Sequence, residues 1–208
     1  MTALADGPRR FMVRCDQWFE RARASLLGNL PCRRGCSRCC IGPFAITRLD
    51  VASLQRGLTS LAPSVRLAIE VSARSQVEAF EAVFPRLKAD TALDRWSDHE
   101  VDELVERFQD LPCPALSEDG SCRVYSFRPV TCRMMGIPVE ADGLVAGACA
   151  VQTAVPVQRV PLILRQEEQR LAEQERAELE VCLGATPGLG EEVLLPYGFL
   201  PDRNPLTR

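Results

Sequence analysis

The apolar positions along the chain fall into helical runs broken by proline and glycine. Over residues 8–27, Phe11, Cys15, Trp18, Phe19, Ala22 and Leu26 recur at three- and four-residue spacing and define one buried stripe. Pro8 suits a first helical turn and Gly28 a stop. Thr47 with Asp50, and Ser97 with Glu100, have the spacing of capping boxes, which predicts helix starts near 48 and 98. Pro63 opens a longer run to about residue 84, with Val65, Ala68, Ile69, Ser72, Val77, Phe80 and Phe84 near one stripe, and Pro85 ends it. A last, charged helix spans 161–183 before Gly184; its Arg and Glu residues read as a solvated face.

Between residues 111 and 150 the periodicity changes. Short runs flank Glu118–Asp119–Gly120 and again Ala141–Asp142–Gly143, which predicts two β-hairpins. "SFRPVTCRMMG" between them reads as one helical turn. Residues 185–208, with Pro187, Pro196, Pro201 and Pro205, read as an irregular tail. The expected fold is mainly α with two short β-hairpins, a single domain over 1–208. A core at 30–150 is flanked by the helices at 8–27 and 161–183.

Composition adds that this core needs no covalent staples: 208 residues, 46% of them hydrophobic, are enough to bury one. The net charge of −3 gives no basic field to attract nucleic acid or anionic lipid. No run approaches the ~18 apolar residues of a membrane span, and the first fifteen residues show no apolar signal-peptide core. A cytoplasmic setting is therefore expected. In that reducing compartment, dense cysteines point to metal or redox chemistry before disulfides.

The cysteines are where chemistry concentrates. Ten cysteines accompany a single histidine, His99, which excludes a Cys2His2 site and leaves a nucleophilic cysteine without a convincing base. His99 itself reads as a solvated residue in a first helical turn. Eight cysteines form two groups: Cys32, Cys36, Cys39 and Cys40 in "PCRRGCSRCC", and Cys113, Cys122, Cys132 and Cys149. Cys15 and Cys182 lie on helices and read as packing residues. Thiolates in fours are the ligands of zinc and of iron–sulfur clusters. Two four-coordinate sites and one shared polynuclear site both satisfy the count. Arg33, Arg34, Arg38, Arg123, Arg128 and Arg133 lie within a few residues of these cysteines. Nearby cations favour the thiolate form that binds metal.

Two resemblances bear on the use of these thiols. The C-x3-C-x2-C spacing of Cys32, Cys36 and Cys39 is similar to the cluster loop of radical S-adenosylmethionine enzymes. The alternating strands and helices of those enzymes are missing here. More of the chain resembles the YkgJ-type cysteine-cluster family, the CxxCxxCC domain associated with zinc or iron chelation. The resemblance is carried by the loop ending in Cys39–Cys40 and by "CPALSEDGSCRVYSFRPVTCRMMG". The matching positions there are Cys113, Leu116, Gly120, Cys122, Tyr125, Arg128, Pro129, Cys132 and Arg133, with Cys149 as the last cysteine. The three-residue gap after Cys32 departs from the two often found in the family.

The resemblance implies a metal ligand set of all eight cysteines. Beyond chelation it implies little; the helical periodicity makes the expected fold a helix-rich domain organised around the cysteines, and eight cysteines with an adjacent pair favour an iron–sulfur cluster (of four-iron type) over zinc as the bound group. Arg128, Arg133 and Tyr125 are the residues expected beside the bound group. A related cysteine arrangement in flagellin lysine N-methylases keeps a metal-dependent modifying enzyme open as an alternative, as is a redox or electron-transfer module. No cofactor fingerprint for S-adenosylmethionine is present in the sequence.

Overall fold

Helix α1 (Asp6–Ser25) buries the stripe its sequence predicts: Phe11, Cys15, Trp18, Phe19 and Ala22, with Leu26 just beyond its end, are all inaccessible to solvent or nearly so, and Met12, not foreseen, is buried with them. The computed structural model describes residues 6–26, 35–137, 139–141, 144–146, 160–184 and 190–203. Cys32, Arg33, Arg34 and Cys149 lie outside the described residues, as does Gly28.

Contacts group the chain into two compact units: Met1–Cys39 with Val130–Glu178, and Cys40–Pro129 with Leu179–Arg208. The first unit contains α1, the short helix α5 (Val130–Met134), the antiparallel hairpin of β2 (Val139–Ala141) and β3 (Leu144–Ala146), and most of α6 (Leu162–Gly184). Helices α1 and α6 run antiparallel. Gly7 lies close to Glu178 at one end, and the indole N–H of Trp18 donates to the Leu164 carbonyl at 2.8 Å near the other. Arg21 pairs with Glu167 across the same seam.

The second unit contains β1 (Ala45–Thr47), α2 (Arg48–Thr59), α3 (Pro63–Val83), α4 (Asp98–Arg107), β4 (Glu192–Leu194) and α7 (Leu195–Gly198). Both capping boxes form as the sequence predicts, Thr47 with Asp50 on α2 and Ser97 with Glu100 on α4. Helix α3 stops at Val83, before Pro85. It buries Ile69, Ala73, Val77 and Phe80, and the Phe80 ring meets Phe108 edge-on with centroids 4.7 Å apart. Ala68, expected near that stripe, is exposed.

Two features differ from the sequence reading. Strand β1 pairs antiparallel with β4 in the register Ala45↔Leu194, Ile46↔Val193 and Thr47↔Glu192. The 185–208 segment, expected to be irregular, therefore contributes a strand and the buried run Leu194, Leu195, Tyr197, Phe199 and Leu200 to the core. Second, the hairpin expected around Glu118–Asp119–Gly120 is reduced to one antiparallel bridge, Leu116↔Cys122, as the chain leaves the extended conformation for a 3-10 turn, Tyr125–Phe127, soon after Cys122. Just after β1, Arg48 is buried; its Nε donates to the Gly190 carbonyl at 3.0 Å, and burial pulls its guanidinium below its ordinary pKa. The architecture remains helix-rich with two two-stranded antiparallel sheets. Among the described residues no helix is long and apolar enough to cross a membrane.

Candidate metal centre

Cys36 precedes a 3-10 turn, Arg38–Cys40, which carries Cys39 and Cys40. Gly42 then reverses the chain at φ 90°, a conformation that side chains disfavour; an added Cβ would also sit 3.2 Å from the Gln109 carbonyl oxygen. The reversal aims the Gly42 N–H at the Leu111 carbonyl, 2.7 Å away, and the Cys113 N–H donates to the Cys40 carbonyl at the same distance. Ile41 and Pro112 form an antiparallel bridge between these bonds. Gln76 on α3 fastens this segment from the side, its amide donating to the Pro112 carbonyl at 2.7 Å.

Beyond Cys113 the chain turns twice. The Leu116 N–H returns to the Cys113 carbonyl, and the Arg123 N–H to the Ala115 carbonyl, both at 2.9 Å. The tip is tied by Asp119, whose carboxylate accepts from the Ser117 hydroxyl at 2.5 Å and from the Ser121 hydroxyl and N–H at 2.7 and 3.0 Å. Those hydrogen bonds, Ser117's first, hold the Asp119 carboxyl down at about 2. Cys40, Cys113 and Cys122 are thus set on one hydrogen-bonded scaffold in the second unit. Cys113 and Cys122 also pack against its hydrophobic core.

A 3-10 turn, Tyr125–Phe127, leads to Arg128, which has the extended backbone that a following proline favours. Arg128 is only 7% exposed, and its guanidinium carbon lies 3.9 Å from the Tyr125 ring centroid. It folds in over the ring instead of extending into solvent, while Tyr125 itself is exposed. Phe127 presses on α2 at Gly57, where a Cβ would lie 2.6–2.8 Å from Phe127 side-chain carbons. We expect Gly57→Ala to destabilise the protein by up to about 2 kcal/mol. Overpacking costs about 1–3 kcal/mol, which outweighs the ~1 kcal/mol that alanine returns inside a helix. The midpoint of chemical denaturation measures it, and a more stable variant would show that Phe127 yields freely.

In the first unit, Cys132 lies in α5 next to Arg133. The Arg133 residue is fully buried at 0% exposure and forms an ion pair with Asp16 of α1. Burial lowers the Arg133 pKa, and the neighbouring Cys15 thiol opposes that shift. Asp16 is the site-region residue that the sequence does not disclose, since no local spacing connects it to Arg133. Gln76 and Phe127 are likewise visible only in three dimensions.

Cys36, Cys39, Cys40, Cys113, Cys122 and Cys132 are all half-buried, whereas Cys15 is 2% exposed inside the α1 stripe. Cys182 is half-buried near the end of α6, and burial raises its thiol pKa. His99 is exposed near the start of α4. Among the described residues, no three or more His, Cys, Asp or Glu side chains group closely enough to hold a metal ion. The six described cysteines suit zinc or iron in chemistry: soft sulfur donors, partly shielded from water, five on or beside short turns and Cys132 on the short helix α5.

Fold and site together define a helix-rich protein whose described cysteines are carried by braced turns and, for Cys132, by a short helix. The chain belongs to the CxxCxxCC family, described as a "Putative zinc- or iron-chelating domain", whose model matches residues 31–150, more than half of the chain. That span contains both cysteine groups and excludes α1 and α6. No curated protein and no solved structure matches the chain.

Proposed function

We propose that the protein is a cytoplasmic metal chelator that holds an iron–sulfur cluster through Cys32, Cys36, Cys39, Cys40, Cys113, Cys122, Cys132 and Cys149. The observation that carries this reading is the 2.7 Å hydrogen bond from the Cys113 N–H to the Cys40 carbonyl. It links the end of the first cysteine loop to the start of the second group, across a long stretch of sequence without cysteine. Eight cysteines exceed the four thiolates of one zinc site and equally the four of one four-iron cluster, so the count fits two four-thiolate sites or one shared polynuclear group, and the adjacent pair Cys39–Cys40 favours the shared group. When bound, such a cluster stores and passes single electrons. The chain's own residues supply thiolate ligands, and Arg128, Arg133 and Tyr125 flank them.

Anaerobic purification followed by iron, sulfide and zinc analysis tests the proposal. Iron and acid-labile sulfide in comparable amounts support it. Stoichiometric zinc without sulfide would retain chelation and remove the cluster. Single serine replacements at Cys36, Cys39, Cys40, Cys113, Cys122, Cys132 or Cys149 are expected to lower bound metal, and Cys15→Ser and Cys182→Ser to leave it unchanged. Equal losses in Cys15→Ser and Cys122→Ser would break the division of ten cysteines into eight and two.

A further inference from the structure

We propose that the Arg133–Asp16 ion pair is the device that positions Cys132, so that α1 supports the metal centre although it lies outside the family's span. The proposal rests on Cys132 being a ligand, as argued above.

Helix α5 has five residues, Val130–Met134. Isolated helices shorter than about 12–15 residues are marginal in water, so α5 cannot fix its own orientation. Tertiary contact must do so, and α5 packs on α1. At that contact Arg133, among the largest fully buried side chains, meets the Asp16 carboxylate. A buried guanidinium is costly to leave uncompensated, and its planar fork of donors makes the pairing directional. Successive residues on a helix are about 100° apart. Fixing Arg133 against α1 therefore fixes the direction in which Cys132, one residue earlier, leaves the helix.

The pair is internally neutral. Its effect on Cys132 is thus placement and not charge, and the two roles predict opposite results. Asp16→Asn removes the carboxylate and adds one net positive charge to the region. If Arg133 served only as a cation for nearby thiolates, that change would strengthen binding of a metal centre with anionic ligands. If the pair positions Cys132, binding weakens. Partners that orient metal ligands typically account for about 10–100-fold in affinity.

The experiment compares zinc affinity, by chelator competition on the full chain, in wild type, Asp16→Asn, Asp16→Glu, Glu20→Gln and Cys132→Ser. Glu20 lies on the same helix and pairs with the exposed Arg23, so it serves as a control. The expected result is a loss of about tenfold or more in Asp16→Asn, recovery of most of it in Asp16→Glu, and wild-type affinity in Glu20→Gln. Cobalt(II) substituted into Asp16→Asn should give a visible spectrum altered from wild type. If Asp16→Asn fails to fold by circular dichroism, Arg133→Lys, which keeps the charge and loses the fork, replaces it with the same expected weakening. Unchanged or tighter zinc binding, even with a lower melting temperature, overturns the proposal. Full affinity in Cys132→Ser overturns the ligand assignment beneath it. Loss in Cys132→Ser without loss in Asp16→Asn overturns the positioning role alone.

Discussion

Removing the metal with a chelator is expected to speed amide exchange across residues 35–44 and 111–137 by orders of magnitude, while α3 keeps its protection. The two segments contribute few residues to the hydrophobic core, chiefly Ala115, Val124 and Ile137. Several of the bonds that tie them down, such as Gly42 to Leu111 and Cys113 to Cys40, span two turns with little burial of their own. Structural metal in small thiolate sites supplies an apparent ~10–16 kcal/mol, and that energy becomes folding energy because the unfolded chain has no preformed site. If only about 4 kcal/mol of it protects these turns, its loss accelerates exchange about a thousandfold. Helix α3 has its own face of Ile69, Ala73, Val77 and Phe80, so the helical circular dichroism should largely persist. Hydrogen exchange read by mass spectrometry, with and without metal, checks this. Unchanged exchange in the two segments after proven metal loss would mean that the cysteines decorate a fold that stands without them.

Trp18→Ala is expected to lower the free energy of unfolding by about 3–5 kcal/mol, the usual range for emptying a large aromatic site. Against a typical total of ~5–15 kcal/mol, that is a large fraction. Trp18 is fully buried, and its indole N–H reaches across to the Leu164 carbonyl on α6, so it both fills and fastens the α1–α6 seam. Trp18→Phe should cost less, roughly the ~1 kcal/mol of one hydrogen bond plus a partial cavity. Urea denaturation followed by circular dichroism separates the two. A Trp18→Ala variant within about 1 kcal/mol of wild type would show that the seam repacks around the missing ring.

Much of the helical framework is legible in the sequence because its signals are local. The α1 stripe from Phe11 to Leu26, the two capping boxes and the stop at Pro85 each need only a few neighbouring residues to be recognised, and each is found in the structure. The hairpin around residues 141–143 is equally local, and its strands β2 and β3 form. What escapes is pairing over distance. Three residues at 45–47 carry no sign that they await 192–194, and prolines near the end of the chain suggest irregularity more strongly than "EVLLPYGFL" suggests burial. In the site region, Arg133 can be singled out by its place beside Cys132. Its partner Asp16 shows no local feature that separates it from other charged residues of α1. The loop at 116–122 lies between these cases: its turn residues are readable, whereas the length of its ladder depends on how far the flanking chain follows Cys113 and Cys122.

The pairing of β1 with β4 also sets an order of events during synthesis. The strand that completes the second unit, residues 192–194, emerges from the ribosome about 45 residues after Cys149. At roughly 5–20 residues per second, that interval is on the order of a few seconds. All eight cysteines of the proposed set have been translated before it ends. Through that interval Ile46 lacks the strand that finally covers it, and Cys40, Cys113 and Cys122 belong to a unit that is not yet closed. Metal delivery can therefore begin on the nascent chain, with the β4 strand arriving afterwards as the clasp.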